Sequence, residues 1–308
     1  MVVHTKDTKM GYLVETDYAS GKGATKYLAT PLAAGDVGLL TAMSRPSGTI
    51  KLPVIVYDKE ALRGAGMAAS SVEVFIKGYK YKEIKITQFV QSATWLAESV
   101  LGVAGNIMAK SATDGYSYLI HFEMPGVDGA MDFFDAIGCT LEDYEYNKPK
   151  GNDWPTETLT FRCYDVIDSV AVTTMLAYVA TQPSINSDAG LTLDADPIVD
   201  LITMNLKIEN TFMDDNSPAG KFQRFDPILS SKKITITATA YTDTAALQGD
   251  PANATLNPIT AIVDTGQDTL QATLLYVEDD NMGEIPEYGL YEHKIVCSNG
   301  GTVVLSIT

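Results

Sequence analysis

Long apolar runs are absent from this chain: no stretch approaches the roughly 18 apolar residues that a membrane-spanning helix needs. The first residues, MVVHTKDTKMGYLVETD, also lack the apolar centre of a secretory signal. Together these predict no membrane partner and a cytoplasmic start. Cysteine is scarce. Cys139, Cys163 and Cys297 show no CxxC spacing, which argues against a disulfide scaffold or a zinc site, and a reducing compartment would leave them as small buried apolar side chains. Positive charge is short as well: Lys and Arg total 22 against 39 Asp and Glu, a net charge of −17 with no basic stripe. Static binding to nucleic acid is disfavoured, because counterion release needs clustered cations. The acidity serves solubility, or a surface that must not hold on to a polyanion.

Signatures of catalysis are missing too. In SGKGAT at Ser20–Thr25, Gly23 follows Lys22 where a phosphate loop needs Ser or Thr. No GxSxG elbow occurs. His4, His121 and His293 are scattered, without HExxH spacing, and His121 and His293 read as structural residues in alternating strands. The acidic turns Asp214-Asp215-Asn216 and Glu278-Asp279-Asp280-Asn281 depart from the calcium-loop pattern, and Asn253-Ala254-Thr255 is a glycosylation sequon by letter only. The expectation is no enzyme, no metal and no cofactor. A glycosidase pair of carboxylates stays open at this point, since such pairs are spatial rather than sequential.

What the chain does have is alternation. Its 308 residues suffice for one large β domain or two smaller ones, and 45% are hydrophobic. Residues 1–70, rich in Gly, Ala, Ser and Thr, read as an extended N-terminal arm with little core of its own, and 71–308 as the β domain. Strands are predicted at Lys51–Tyr57, Ser71–Ile76, Tyr81–Phe89 and Tyr116–Met124. A helix over Ala93–Met108, capped by Ser92, is predicted from Leu96, Val100, Val103 and Ile107 at helical spacing. Asp168–Thr181 is ambiguous between helix and strand.

Two hairpins stand out. The first is centred on Gly151, so that positions summing to 302 oppose one another: Cys139 faces Cys163, Leu141 faces Phe161 and Glu142 faces Thr160. Facing cysteines read as core packing, and a cross-strand disulfide stays geometrically open. The second pairs Ile198–Asn210 with Lys233–Tyr241, and the 22 residues between them, Thr211–Lys232, form a connection of the length that is usually functional. Each hairpin has one apolar and one polar phase. Their loose likeness raises an internal duplication of 71–170 and 190–308. The fold class that follows is mainly β, a sandwich or barrel with one flanking α-helix.

The order of elements matters more than any one residue. A helix with a glycine-rich end, a strand, the Gly138-Cys139 hairpin, then MNLKIEN, a long loop, KITITATAY, DTLQATLLYVEDDN and GLYEHKIVCS resemble the phage-type (tailed virus) major tail tube protein family over Trp95–Ser298. That resemblance implies a β-sandwich subunit assembling into rings, sixfold favoured and trimeric if the chain is duplicated. The rings stack into a virion tail tube, put together in the host cytoplasm, around a channel for viral DNA. Tape-measure and tail-end proteins would be its partners, and DNA would pass without specific binding. The two hairpins would build an inner β-barrel. By phase, the lumen candidates are Glu142, Thr158, Thr160, Thr203, Asn205, Glu209, Thr235, Thr237 and Thr239, with Arg162 and Lys207 sharing those phases and expected to pair with carboxylates. Asp214, Asp215, Phe222, Arg224 and Phe225 are the candidates for a loop reaching another ring. Three alternatives stand beside this: an extracellular carbohydrate-binding or adhesion β-sandwich, a β-rich hydrolase, and another tail component such as a baseplate, sheath or tail-completion protein.

Overall fold

Threonine, valine and isoleucine in alternation with polar residues favour extended backbone, because branching at Cβ suits a pleated surface better than a helical turn. The computed structural model describes residues 7–25, 27–48, 50–62, 73–92, 94–101, 117–126, 130–169, 179–198, 200–213, 228–241, 258–281 and 292–307. In chain order the elements are β1 (Lys9–Val14), β2 (Thr41–Ala42), β3 (Lys51–Leu62), β4 (Glu73–Phe89), α1 (Thr94–Leu101), β5 (Tyr118–Pro125), β6 (Met131–Lys148), β7 (Thr156–Cys163), β8 (Asp165–Asp168), β9 (Gly190–Leu193), β10 (Asp196–Pro197), β11 (Leu201–Met213), β12 (Ile228–Tyr241), β13 (Ile259–Asp264), β14 (Thr269–Asn281) and β15 (Glu292–Ile307). The protein is mainly β, as its alternation predicts.

The strands form one branched antiparallel sheet of 15 strands. The branch is β6. Its first half pairs with β5 and β8, its second half with β7 and β11. From that second half the sheet continues through β7 to β4 and β3 on one side, and through β11, β12, β15, β14, β13 and β9 to β10 on the other. Buried side chains of β13 and β14 (Ala261, Val263, Leu270, Ala272) share one apolar core with those of β6, β7, β11 and β12. The long branch therefore curls over itself.

Aromatic rings knit the short branch to the long one. Trp95 on α1, 1% exposed, lies 4.7 Å from the Tyr12 ring of β1, 5.5 Å from Tyr118 of β5 and 5.6 Å from Phe161 of β7. Tilted and edge-on contacts at these distances add to the gain from burial. At the start of α1, the Ser92 hydroxyl accepts from Thr94 N at 3.3 Å, in keeping with its expected role as a cap. The expected helix beyond Leu101 lies outside the described residues.

Three sequence expectations meet a different structure. Ser71–Ile76 and Tyr81–Phe89 were two strands by pattern, whereas Glu73–Phe89 is a single strand, β4, held continuous by β3 across register shifts at Val56/Tyr57 and Asp58/Lys59. The acidic turn Glu278–Asn281 is the end of β14 rather than a turn, its backbone laddered to β15. Within 1–70, β1 is an interior strand between β2 and β5, and Met10, Tyr12 and Met43 belong to the main core. The segment that follows β1 covers the second face of the short branch, where Leu32, Leu119 and Ile137 cluster. That cover is tied by a buried carboxylate: Glu15 accepts from the backbone of Ala19, Gly21 and Gly138 and from the Ser117 hydroxyl. Among the described residues no helix is long and apolar enough to cross a membrane.

Candidate functional site

The two hairpins lie side by side. β6 of the first pairs antiparallel with β11 of the second, with Met204 opposite Lys148 and Glu209 opposite Asp143. Their outward phases thereby merge into one polar face, continued by β4 beyond β7 and by β15 beyond β12, where Phe89 opposite Thr156 and Val296 opposite Thr237 give it apolar margins. Side chains on such a face line up in rows across the strands. One row runs Thr87, Thr158, Glu145, Lys207, Thr235, Ser298. The next runs Lys85, Thr160, Asp143, Glu209, Lys233. On the other side of the first row come Thr156, Asn147, Asn205 and Thr237, then Thr203 beside Thr239.

The expected lumen candidates are thus brought together. Thr158, Thr203, Asn205, Glu209, Thr235, Thr237 and Thr239 stand half-buried on this face, while Thr160 is more enclosed, at 9% exposure. Glu142 departs from the expected register. Cross-strand sums hold at 302 for Thr140 with Arg162 and Leu141 with Phe161, then slip by one, so that Asp143 rather than Glu142 faces Thr160. The physical reason is a β-bulge. Glu142 is the extra residue, Glu142 and Asp143 are both half-buried, and Tyr144 and Tyr146 take the core phase at 1% and 0% exposure. Strict alternation from Glu142 would have turned both tyrosines outward. The signal was there in the letters LEDYEYN, where two carboxylates in succession precede aromatics at spacing two. Asp143 and Glu145 were missed for this reason, and Glu83, Lys85 and Thr87 because the pairing of β4 with β7 is not visible in sequence.

Charges of both signs stand on the face. Glu83, Glu142, Asp143, Glu145 and Glu209 stand among Lys85, Arg162, Lys207, Lys233 and Lys294. The two cations that complicated the sequence reading have carboxylate partners: Arg162 Nη2 is 2.5 Å from Glu142 Oε1 and Lys207 Nζ 2.7 Å from Glu209 Oε1. The Arg162 guanidinium also lies over the Tyr81 ring, 4.4 Å from its centre. Asn205 Nδ2 donates to Glu145 Oε1 at 2.7 Å, and the hydroxyls of Thr87 and Thr158 are 3.1 Å apart. Asp143 sits amid like charge. Burial first, then Glu142, pushes its carboxyl up to about 6, with Lys207 opposing. The Lys207 ammonium is raised, chiefly by its bond to Glu209.

Behind the face, on the core side, lies a polar group that alternation placed but did not explain. Glu157 has Leu159, Phe161 and Cys163 in its phase and is 1% exposed. Its Oε1 accepts from Gln88 Nε2 at 2.8 Å. Burial raises its carboxyl to about 8, against hydrogen bonds from Gln88 and Tyr144, so it is mostly protonated at neutral pH.

The edges differ from the sequence picture. The resemblance implies an inner β-barrel built from the two hairpins; in this chain their outer flanks are already covered, β7 by β4 and β12 by β15. Among the described strands, β3 is the long one that has a partner on one side only. Its pairing with Glu73–Tyr81 runs past the end of β7, which meets β4 only from Lys82 onward. Asp214, Asp215, Phe222, Arg224 and Phe225 lie outside the described residues. His121 is a structural histidine: it is fully buried and its Nδ1 is 2.7 Å from Asp135 Oδ1. No cluster of three or more metal-ligating side chains occurs among the described residues. Comparison with protein-family models and with curated proteins gives no match.

Proposed function

We propose that this chain is a structural subunit of a tailed-virus tail tube, forming rings that stack around a channel for DNA. One observation carries the reading: the polar phases of two separate hairpins merge into a single face of threonines and mixed charges, in which Arg162 and Lys207 are paired with carboxylates. Among the described residues this face mixes cations with at least as many carboxylates, so counterion release gains little and a polyanion slides past. Its threonine hydroxyls are neutral, and Glu142 and Glu209 are held against Arg162 and Lys207, cations that would otherwise attract DNA. The sandwich-like subunit turns its apolar phases into the core and this face towards the lumen.

The β3–β4 ribbon supports assembly. A two-stranded ribbon beyond the body of a sheet is marginal in water, and a strand with one free edge invites pairing. Seated on a neighbouring copy, that edge would be satisfied. Rotational symmetry closes a ring, and head-to-tail stacking of rings continues into a tube. Six chains per ring is the favoured count, and three follows if each hairpin acts as one repeat.

Negative-stain electron microscopy of the purified protein across a concentration series, with mass measurement of the soluble fraction, tests this. Hollow tubes or rings with a regular axial repeat are expected, and rotational averaging then counts the subunits. A strictly monomeric species at high concentration, also in the presence of purified tail-tip complex, overturns it. A carbohydrate-binding module is the second reading, favoured by Trp154, which is 44% exposed near the tip of the first hairpin. Binding to a glycan panel that is lost on Trp154→Ala would move the assignment there.

A further inference from the structure

The first hairpin ends in a pair of thiols. Thr140 opposite Arg162 and Leu141 opposite Phe161 set a register in which Cys139 and Cys163 are the next facing positions. Both point into the core, at 0% and 1% exposure, and both are free thiols here. Their sulfurs lie 2.8 Å apart. That is well inside the optimal separation of non-bonded carbon atoms, about 3.5–4.0 Å, and sulfur is the larger atom. A sulfur–sulfur bond of about 2.05 Å would need a further approach of only about 0.8 Å.

We propose that Cys139 and Cys163 form a cross-strand disulfide that staples the branch point of the sheet. The oxidant is a low-molecular-weight disulfide such as oxidised glutathione. The thiolate of one cysteine attacks it, forming a mixed disulfide and expelling one glutathione thiolate. The second cysteine then attacks the mixed disulfide, the bond between Cys139 and Cys163 forms, and a second glutathione leaves. Both cysteine protons end on glutathione, and the two electrons lost by the pair reduce the oxidant.

The location gives the bond its role. Just before Cys139, Gly138 adopts φ +60° and β6 changes partners from β7 to β5 and β8. Just after Cys163, Tyr164 N donates to Ile137 O at 2.9 Å. A bond here holds together the two strands at the point where the short branch leaves the long one, and it closes a loop between positions 24 apart in sequence. Burial, and then the neighbouring thiol, push the Cys139 thiol well above its ordinary range, so the folded reduced pair reacts slowly. Oxidation therefore belongs to the period before β6 and β7 close over the sulfurs. Once formed, the bond is shielded from reductants. This inference is independent of the tail-tube reading.

The test is cell-free synthesis of the full chain with oxidised glutathione or with dithiothreitol. The oxidised product is expected to be lighter by two hydrogens, about 2 Da, with one thiol titratable in denaturant instead of three and a peptide joining Cys139 to Cys163. Its thermal midpoint should lie several degrees above that of the reduced protein. Cys163→Ser made the same way should keep two titratable thiols and show one midpoint under both conditions. Three titratable thiols in the oxidised wild type, a bond involving Cys297, or equal midpoints for the oxidised and reduced wild type would overturn the proposal.

Discussion

Both hairpins slip register, but at different places, and much of the architecture follows. Along β11 and β12 the shifts fall at the ends, at Leu201/Thr203 and Thr211/Phe212; between them the pairing is unbroken, and Met204, Leu206, Ile208, Ile234, Ile236 and Ala238 all face the core. In β6 the bulge at Glu142 bends the strand, and Gly138 four residues earlier bends it again. A hairpin that is regular through its middle serves one sheet. The irregular one serves two branches at once, because each bend re-aims the strand without breaking its ladder. Irregularity here is what connects the molecule.

Substitutions can break or sharpen this contrast. The largest effect is expected in the regular hairpin: Leu206, 0% exposed at the middle of β11, should cost about 2–5 kcal/mol when cut to alanine, read from denaturant unfolding. Next comes Gly138→Ala. A Cβ there would stand 2.6 Å from Tyr164 Cβ and 3.1 Å from Ala19 Cβ, at a backbone angle that L side chains rarely adopt. A loss of about 2–4 kcal/mol is expected, and a neutral result would show that the branch does not depend on that bend.

Glu157→Gln should act in the opposite direction. The folded carboxyl holds its proton more tightly than the unfolded chain, whose value is near 4.5, so this group subtracts nothing below that pH. Its penalty grows as pH rises and is complete above about 8. The glutamine variant should therefore be more stable at pH 7 by about 1–3 kcal/mol and match the wild type near pH 4.5, as thermal or denaturant melts at both pH values would show. An equal gain at both pH values would mean that packing rather than ionisation is responsible. The smallest effect is expected from Asp143→Asn on the polar face. Its partial exposure screens the like charges around it, so a gain below about 1 kcal/mol should appear above about pH 6 and fade on acidification.

How much of this was legible in the letters depends on regularity. KITITATAY and MNLKIEN alternate without interruption, and reading them as a two-faced pair put the residues from Thr203 to Thr239 on one face, as the pairing of β11 with β12 has them. LEDYEYN hides a bulge, so the same rule put Glu142 opposite Thr160 and overlooked Asp143 and Glu145. Local pattern also anticipated Ser92 at the start of α1 and the facing cysteines. It could not show that β4 extends the face, since the β4–β7 partners Lys85 and Thr160 lie in segments with no sequence signal linking them. Nor could it show that β1 sits inside the sheet, because six residues between turns look the same at an edge and in the middle.

By itself the sequence determined what periodicity and composition control: a mainly β chain, short of cations and cysteine, with two hairpins that each carry one apolar and one polar phase. Alternation is a local property, fixed by side chains that point to opposite faces at every step. The tertiary structure alone decided which strands became neighbours. It set β6 against β11 so that two polar phases became one face, and it inserted the bulge that reversed the phase at Tyr144. It also drew two sulfurs together from positions 24 apart in the chain. Those outcomes depend on burying a single shared core from strands distant in sequence, a gain that no short segment can express alone.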